Sequence, residues 1–131
     1  MIRLAAVLAF VALTACSSAP PPDTKKVDSN GEVTLTPGES VQLQESMIVQ
    51  LVNVVEDSRC PTDVTCVWAG EVKVLLEGSK GDMAPTYLRV GDSARFGAHE
   101  VTLVRVEPQP VSTAKIARQD YRATLKIGPA T

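Results

Sequence analysis

Residues 121–127 read Tyr-Arg-Ala-Thr-Leu-Lys-Ile. On an extended chain Tyr121, Ala123, Leu125 and Ile127 face one way, while Arg122, Thr124 and Lys126 face the other. A period of two with one apolar side is the mark of a half-buried β-strand. Val72, Val74 and Leu76 alternate with Lys73 and Glu77 in the same manner. Further out, 47–55 and 101–106 are strongly apolar but change phase midway, which predicts a β-bulge in each. Shorter strands are expected at 32–35, 41–44 and 86–90. Thr36-Pro37-Gly38-Glu39 fits a type II turn, since Pro presets φ and Gly accepts a positive φ. Gly78-Ser79-Lys80-Gly81 reads as another turn, and Gly91-Asp92 as a turn between Val90 and a further short strand. The segment 108–120 is irregular, with a helical turn expected over 113–118. These elements predict an all-β fold, a small antiparallel β-sandwich or barrel of about seven strands.

The chain has 131 residues, which allows one domain. Its formal charge is −2. That mildly acidic balance gives no electrostatic reason to expect a nucleic-acid partner. Two Phe, two Tyr and one Trp are too few for a base-stacking platform.

The first residues, Met1-Ile2-Arg3, carry a positive charge, and 4–15 is an almost unbroken apolar run of small and aliphatic residues. As a helix this run is roughly 18 Å long, against about 30 Å of bilayer hydrocarbon. Those proportions suit a signal peptide over 1–15 and not a permanent span. Leu13-Thr14-Ala15-Cys16 resembles the lipobox of bacterial lipoproteins. The resemblance implies cleavage before Cys16 and lipid on its thiol, with several acyl chains giving a stable membrane anchor. Ser17 follows, where an Asp would imply inner-membrane retention in that class. By the same resemblance the chain is expected at the outer membrane, facing the periplasm. Residues 17–30, SSAPPPDTKKVDSN, have almost nothing to bury and carry three consecutive prolines. They read as an extended tether that holds the domain off the headgroups. The expected organisation is therefore a leader at 1–15, a lipidated cysteine and Pro-rich tether at 16–30, and a β domain at 31–131.

Three cysteines are present. With Cys16 processed, Cys60 and Cys66 remain as one pair, which fits an oxidising compartment and one disulfide. The ring would hold seven residues, and loop-closure entropy makes it worth about 2 kcal/mol. Trp68, two residues beyond, is expected to pack beneath Cys66. Asp57-Ser58-Arg59-Cys60-Pro61 followed by Cys66-Val67-Trp68-Ala69-Gly70 resembles a set of small, uncharacterised bacterial envelope proteins. The resemblance extends to Pro108-Gln109-Pro110 and to Asp120-Tyr121 before the last strand. It implies a compact β domain at the envelope and no reaction. Two readings of Asp57, Ser58 and Arg59 stand side by side. In one, they pin the loop, with Asp57 and Ser58 on local backbone N–H groups and Arg59 forked onto a carboxylate or carbonyls. In the other, Arg59 and Asp63, with Asp57 and Trp68 beside them, form a recognition patch.

Other constellations fall short of chemistry. The Cys60–Cys66 spacing is too wide for a Cys-x-x-Cys redox pair. Two cysteines, one histidine in a Gly-Ala-His turn at 97–99, and Met47 and Met83 do not make a metal set, so no metal or cofactor is expected. Gly91-Asp92-Ser93 echoes an esterase nucleophile segment without its companion Asp-x-x-His. No nucleotide-binding glycine loop occurs. The expected function is a membrane-anchored, non-catalytic domain that binds an envelope protein or component, or has a structural role. One rival is an inhibitor of an envelope-attacking hydrolase, a lysozyme or protease. A second is a small hydrolase built from carboxylates such as Glu56, Asp57 and Asp63.

Overall fold

A computed structural model describes residues 24–27, 31–43, 47–79, 84–112 and 114–130. The leader, Cys16 and residues 17–23 lie outside this set, as do Lys80, Gly81 and Met83. Among the described residues the chain forms nine strands. They are β1 (Thr24–Lys26), β2 (Glu32–Leu35), β3 (Ser40–Gln42), β4 (Ile48–Asp57), β5 (Val72–Gly78), β6 (Thr86–Arg89), β7 (Ser93–Phe96), β8 (His99–Glu107) and β9 (Arg122–Pro129). One sheet has the order β1-β3-β4-β5-β6, the other β2-β9-β8-β7. All pairings are antiparallel except β1 with β3. The fold is a β-sandwich.

The two inner faces supply the core. Leu35, Leu51, Leu76, Phe96, Leu103 and Leu125 are fully buried, together with Val41, Val49, Val74 and Val101. Strand β9 follows the expected alternation, with Ala123 and Leu125 inward and Arg122 and Lys126 exposed. Thr124 departs from it. It points outward yet is buried, and its hydroxyl bonds that of its register partner Thr34 at 3.0 Å.

Both expected bulges are present. The β8–β9 register shifts between Leu103 and Arg105. The β4–β5 register shifts twice, between Leu51 and Asn53 and between Val54 and Glu56. Val49 and Leu51 face the core before the first shift, and Val54 packs against it afterwards. A bulge lets one long strand keep an apolar side inward while its far end re-aims. The Thr36–Glu39 turn closes with the Glu39 N–H on the Thr36 carbonyl at 2.9 Å and Gly38 at φ +99°. The turn at Gly91-Asp92 closes likewise, from the Asp92 N–H to the Arg89 carbonyl at 2.9 Å.

Three expectations need correction. The sheet begins inside the segment read as tether, because β1 pairs with β3 in the register Thr24↔Ser40 to Lys26↔Gln42. Strand β1 reads Thr-Lys-Lys and is held by backbone bonds, so no apolar pattern marks it. The only helical turn described near 113–118 lies later, a 3₁₀ turn at Arg118–Asp120. The strands number nine against about seven: β7 is the further short strand expected after Gly91-Asp92, and β1 is the addition.

A clamped loop as the candidate functional site

Strand β4 ends at Asp57 and β5 begins at its register partner Val72. The segment between them, 58–71, is a loop closed at its neck. The Ser58 N–H donates to the Glu71 carbonyl at 2.8 Å. The Ser58 hydroxyl donates to that carbonyl at 3.1 Å and accepts from the Glu71 N–H at 3.0 Å. Gly70 sits at φ +64°, and a Cβ there would fall on the Ser58 carbonyl oxygen. The neck therefore requires a residue without a side chain.

Beneath the neck lies an ionic clamp. Arg59 grips Asp57 with two bonds, Nε to Oδ1 and Nη2 to Oδ2, both 2.8 Å. The same guanidinium donates to the Val106 carbonyl at 2.8 Å and the Pro108 carbonyl at 3.0 Å. Those carbonyls belong to the end of β8 and the chain just beyond it, in the opposite sheet. One planar fork thus ties β4 to β8 across the end of the sandwich. The Tyr121 hydroxyl donates to Asp57 Oδ2 at 2.9 Å, bringing in the chain before β9. Burial alone would raise the Asp57 carboxyl, but the bonds from Arg59 and Tyr121 outweigh it and hold the group below the usual carboxylate range. Burial, together with the Asp57 charge, pushes the Tyr121 hydroxyl up to about 12.

The loop is fastened a second time further out. Cys60 and Cys66 form a disulfide with Cα atoms 5.8 Å apart. Inside that ring the Thr62 N–H donates to the Pro110 carbonyl at 2.9 Å. Asp63 accepts from the Ser112 N–H at 2.9 Å and from its hydroxyl at 2.5 Å. Both bonds hold the exposed Asp63 carboxyl below its ordinary range. The ring is thereby laid against 110–112.

Asp57, Arg59 and Asp63 are thus all engaged by partners within the chain. Their geometry is that of pins, with Arg59 and Asp57 side chains each only 13% exposed. Trp68 reverses its expected place. It does not lie beneath Cys66 but is 61% exposed, beside a Val67 that is 99% exposed. Tyr121, Ser112 and the carbonyls of Val106, Pro108 and Pro110 complete the site, and none was singled out from the sequence. The one available signal was the pairing of the cysteine motif with Pro108-Gln109-Pro110 and Asp120-Tyr121, which the fold brings to the same spot.

Among the described residues, concavities lie elsewhere. One of about 690 Å³ opens at the far end of the sandwich, lined by Lys26, Val27, Leu43, His99 and Ile127 among others. A smaller one of about 370 Å³ on the β4-β5-β6 face includes Glu56 and Asp92. Glu56 is paired with Lys73 at 3.2 Å, and Asp92 accepts the Arg89 N–H at 3.0 Å. Among the described residues no group of three or more His, Cys, Asp or Glu side chains is placed to hold a metal ion. No protein-family model, curated protein or solved structure matches this chain.

Proposed function

We propose that the chain is a lipoprotein of the bacterial envelope, anchored through Cys16, whose β domain works by contact and not by catalysis. The observation that carries the reading is the division of labour in the 58–71 loop. The polar side chains of Ser58, Arg59 and Asp63 are consumed in fastening it, while the apolar ones of Val64, Val67 and Trp68 are held out to solvent. Exposing a tryptophan on a doubly fastened loop favours neither packing nor solubility, so its benefit lies in a contact. A loop already fixed in shape loses little entropy on docking. The Asp57 and Asp63 carboxylates are engaged by Arg59, Tyr121 and Ser112, which leaves them poor candidates for acid–base work. The lipobox at 13–16 and the likeness of 57–61 and 66–70 to small envelope proteins support the location.

A photo-reactive residue placed at position 67 in growing cells tests the contact. A single dominant adduct, protein or lipid, is the expected outcome. No adduct under any growth condition would remove the reading.

A further inference from the structure

We propose that the occupant of this loop is the bilayer itself: Val64, Val67 and Trp68 rest in the headgroup layer of the membrane that holds the lipid on Cys16. The inference rests on the anchorage proposed above and names the contact that the anchored domain makes.

The apolar surface gathers at this place. Seven large apolar side chains are exposed among the described residues, and Val64, Val67, Trp68 and Val111 are four of them. Val111 belongs to the same end, because its neighbours Pro110 and Ser112 are the partners of Thr62 and Asp63. The tip also carries no charge. Residues 64–70 read Val-Thr-Cys-Val-Trp-Ala-Gly. Of the ionised groups nearest to the tip, Arg59 is largely buried by its bonds, Asp63 is exposed but held by Ser112, and Glu71 is paired with Lys73 and Arg89. Charge-steered docking on a protein draws on unpaired charge around the contact, and the charges bordering this tip are already engaged within the chain. An indole flanked by valines, with one N–H to leave among headgroups, suits the boundary between acyl chains and water. The absence of a cation at 64–70 means that anionic lipid is not required.

The strand register supplies an independent argument. Strand β1 runs parallel to β3, with Thr24 opposite Ser40, and β3 is antiparallel to β4, with Ser40 opposite Gln50. The chain before Thr24 therefore arrives from the end of the sheet toward which β4 runs, which is the end that carries the loop. From Gln50 to Asp57 the strand advances roughly 23 Å. From Cys16 to Thr24 a fully extended chain spans at most about 29 Å. An anchor at Cys16 can thus reach the loop's side of the domain, because the length the chain can span is comparable with the height of the loop. A tether of this length, shorter than one ending at residue 30, allows that end of the sandwich to meet the membrane. Three side chains bind a bilayer weakly on their own, but the anchor makes the contact intramolecular and raises its effective concentration.

Trp68 is the chain's single tryptophan, so its fluorescence reports on this site alone. The full lipidated chain is reconstituted into vesicles of phosphatidylcholine and phosphatidylethanolamine and recovered by flotation. The expected result is a blue shift of emission, quenching by brominated acyl chains and loss of access for aqueous iodide. Val67→Asp, at a position that touches nothing, should abolish all three while the protein still floats and keeps its β-sheet circular dichroism. A floating wild-type protein whose Trp68 stays open to iodide and blind to bromine overturns the inference and leaves the anchorage standing. Shielding that appears only when a second envelope protein is added also overturns it. Failure to float removes the anchorage and this contact together.

Discussion

Replacing Arg59 with alanine removes four side-chain hydrogen bonds at once, two to Asp57 and one each to the Val106 and Pro108 carbonyls. A bond involving a charged group contributes about 1.5–3 kcal/mol, so a simple sum over the four would be comparable with the whole stability of a small domain. Two effects reduce it. The site lies near the surface, where water screens the pair. The Pro108 carbonyl is exposed and regains water once the guanidinium has gone. The remaining loss is a largely buried Asp57 carboxylate left with the Tyr121 hydroxyl as its side-chain donor, and a Val106 carbonyl on β8 that has lost its charged donor. We expect Arg59→Ala to cost about 3 kcal/mol, between a screened surface pair and a broken buried one. For a domain near 100 residues that is a fall in Tm of roughly 12–24 °C. Urea unfolding followed by far-ultraviolet circular dichroism is the assay, with an unchanged m-value marking a true loss of native stability. Arg59→Lys keeps the charge but not the fork, and should recover less than half of the loss. A cost below about 0.5 kcal/mol, the range of an ordinary exposed ion pair, would refute the clamp.

Other outcomes follow from the same geometry. Replacing both Cys60 and Cys66 with alanine opens a seven-residue ring and should cost about 2 kcal/mol in thermal or urea unfolding, with the sheet spectrum retained. Gly70→Ala forces a side chain onto the Ser58 carbonyl at a positive φ, and should destabilise by more than about 2 kcal/mol, read by the same unfolding curves. Because the Asp57 carboxyl is held low in the fold, its contribution is present above the ordinary carboxylate range and lost as pH falls through the folded value. Tyr121 has the opposite sign. Its contribution is complete below pH 10, where the unfolded hydroxyl begins to ionise, and is lost as pH rises to about 12. Tyr121→Phe should therefore flatten the alkaline limb of a Tm–pH profile, and an unchanged limb would show that the hydroxyl does not face Asp57.

The residues that alternate or change phase revealed most of the sandwich. Strand β9 and the bulges of β4 and β8 were legible because burying one face imposes a period of two, and a phase change has one structural meaning. Strand β1 was not, since Thr24–Lys26 joins the sheet through backbone bonds that leave no trace in side-chain pattern. The loop was legible in its parts. Asp57, Ser58 and Arg59 were residues of the right chemistry to fasten a turn. Ser58 fastens it to Glu71 across the neck, but the β8 and β9 partners of Arg59 and Asp57 are 47 to 64 residues away in sequence, beyond the reach of local reasoning. Trp68 was misplaced for a general reason. Hydrophobicity predicts burial on average, and an aromatic residue kept in water by two fastenings departs from the average.

The claim on which the rest depends is that the chain leaves the cytosol, is cut before Cys16 and is lipidated there. The intact mass of the mature protein, isolated from the membrane fraction of its own cells without reductant, tests it most directly. The account predicts a chain that begins at Cys16, carries a diacylglyceryl group with or without a further acyl chain, and lacks two hydrogens for the Cys60–Cys66 bond. A soluble chain that keeps residues 1–15, with unmodified Cys16 and free thiols at 60 and 66, would contradict it.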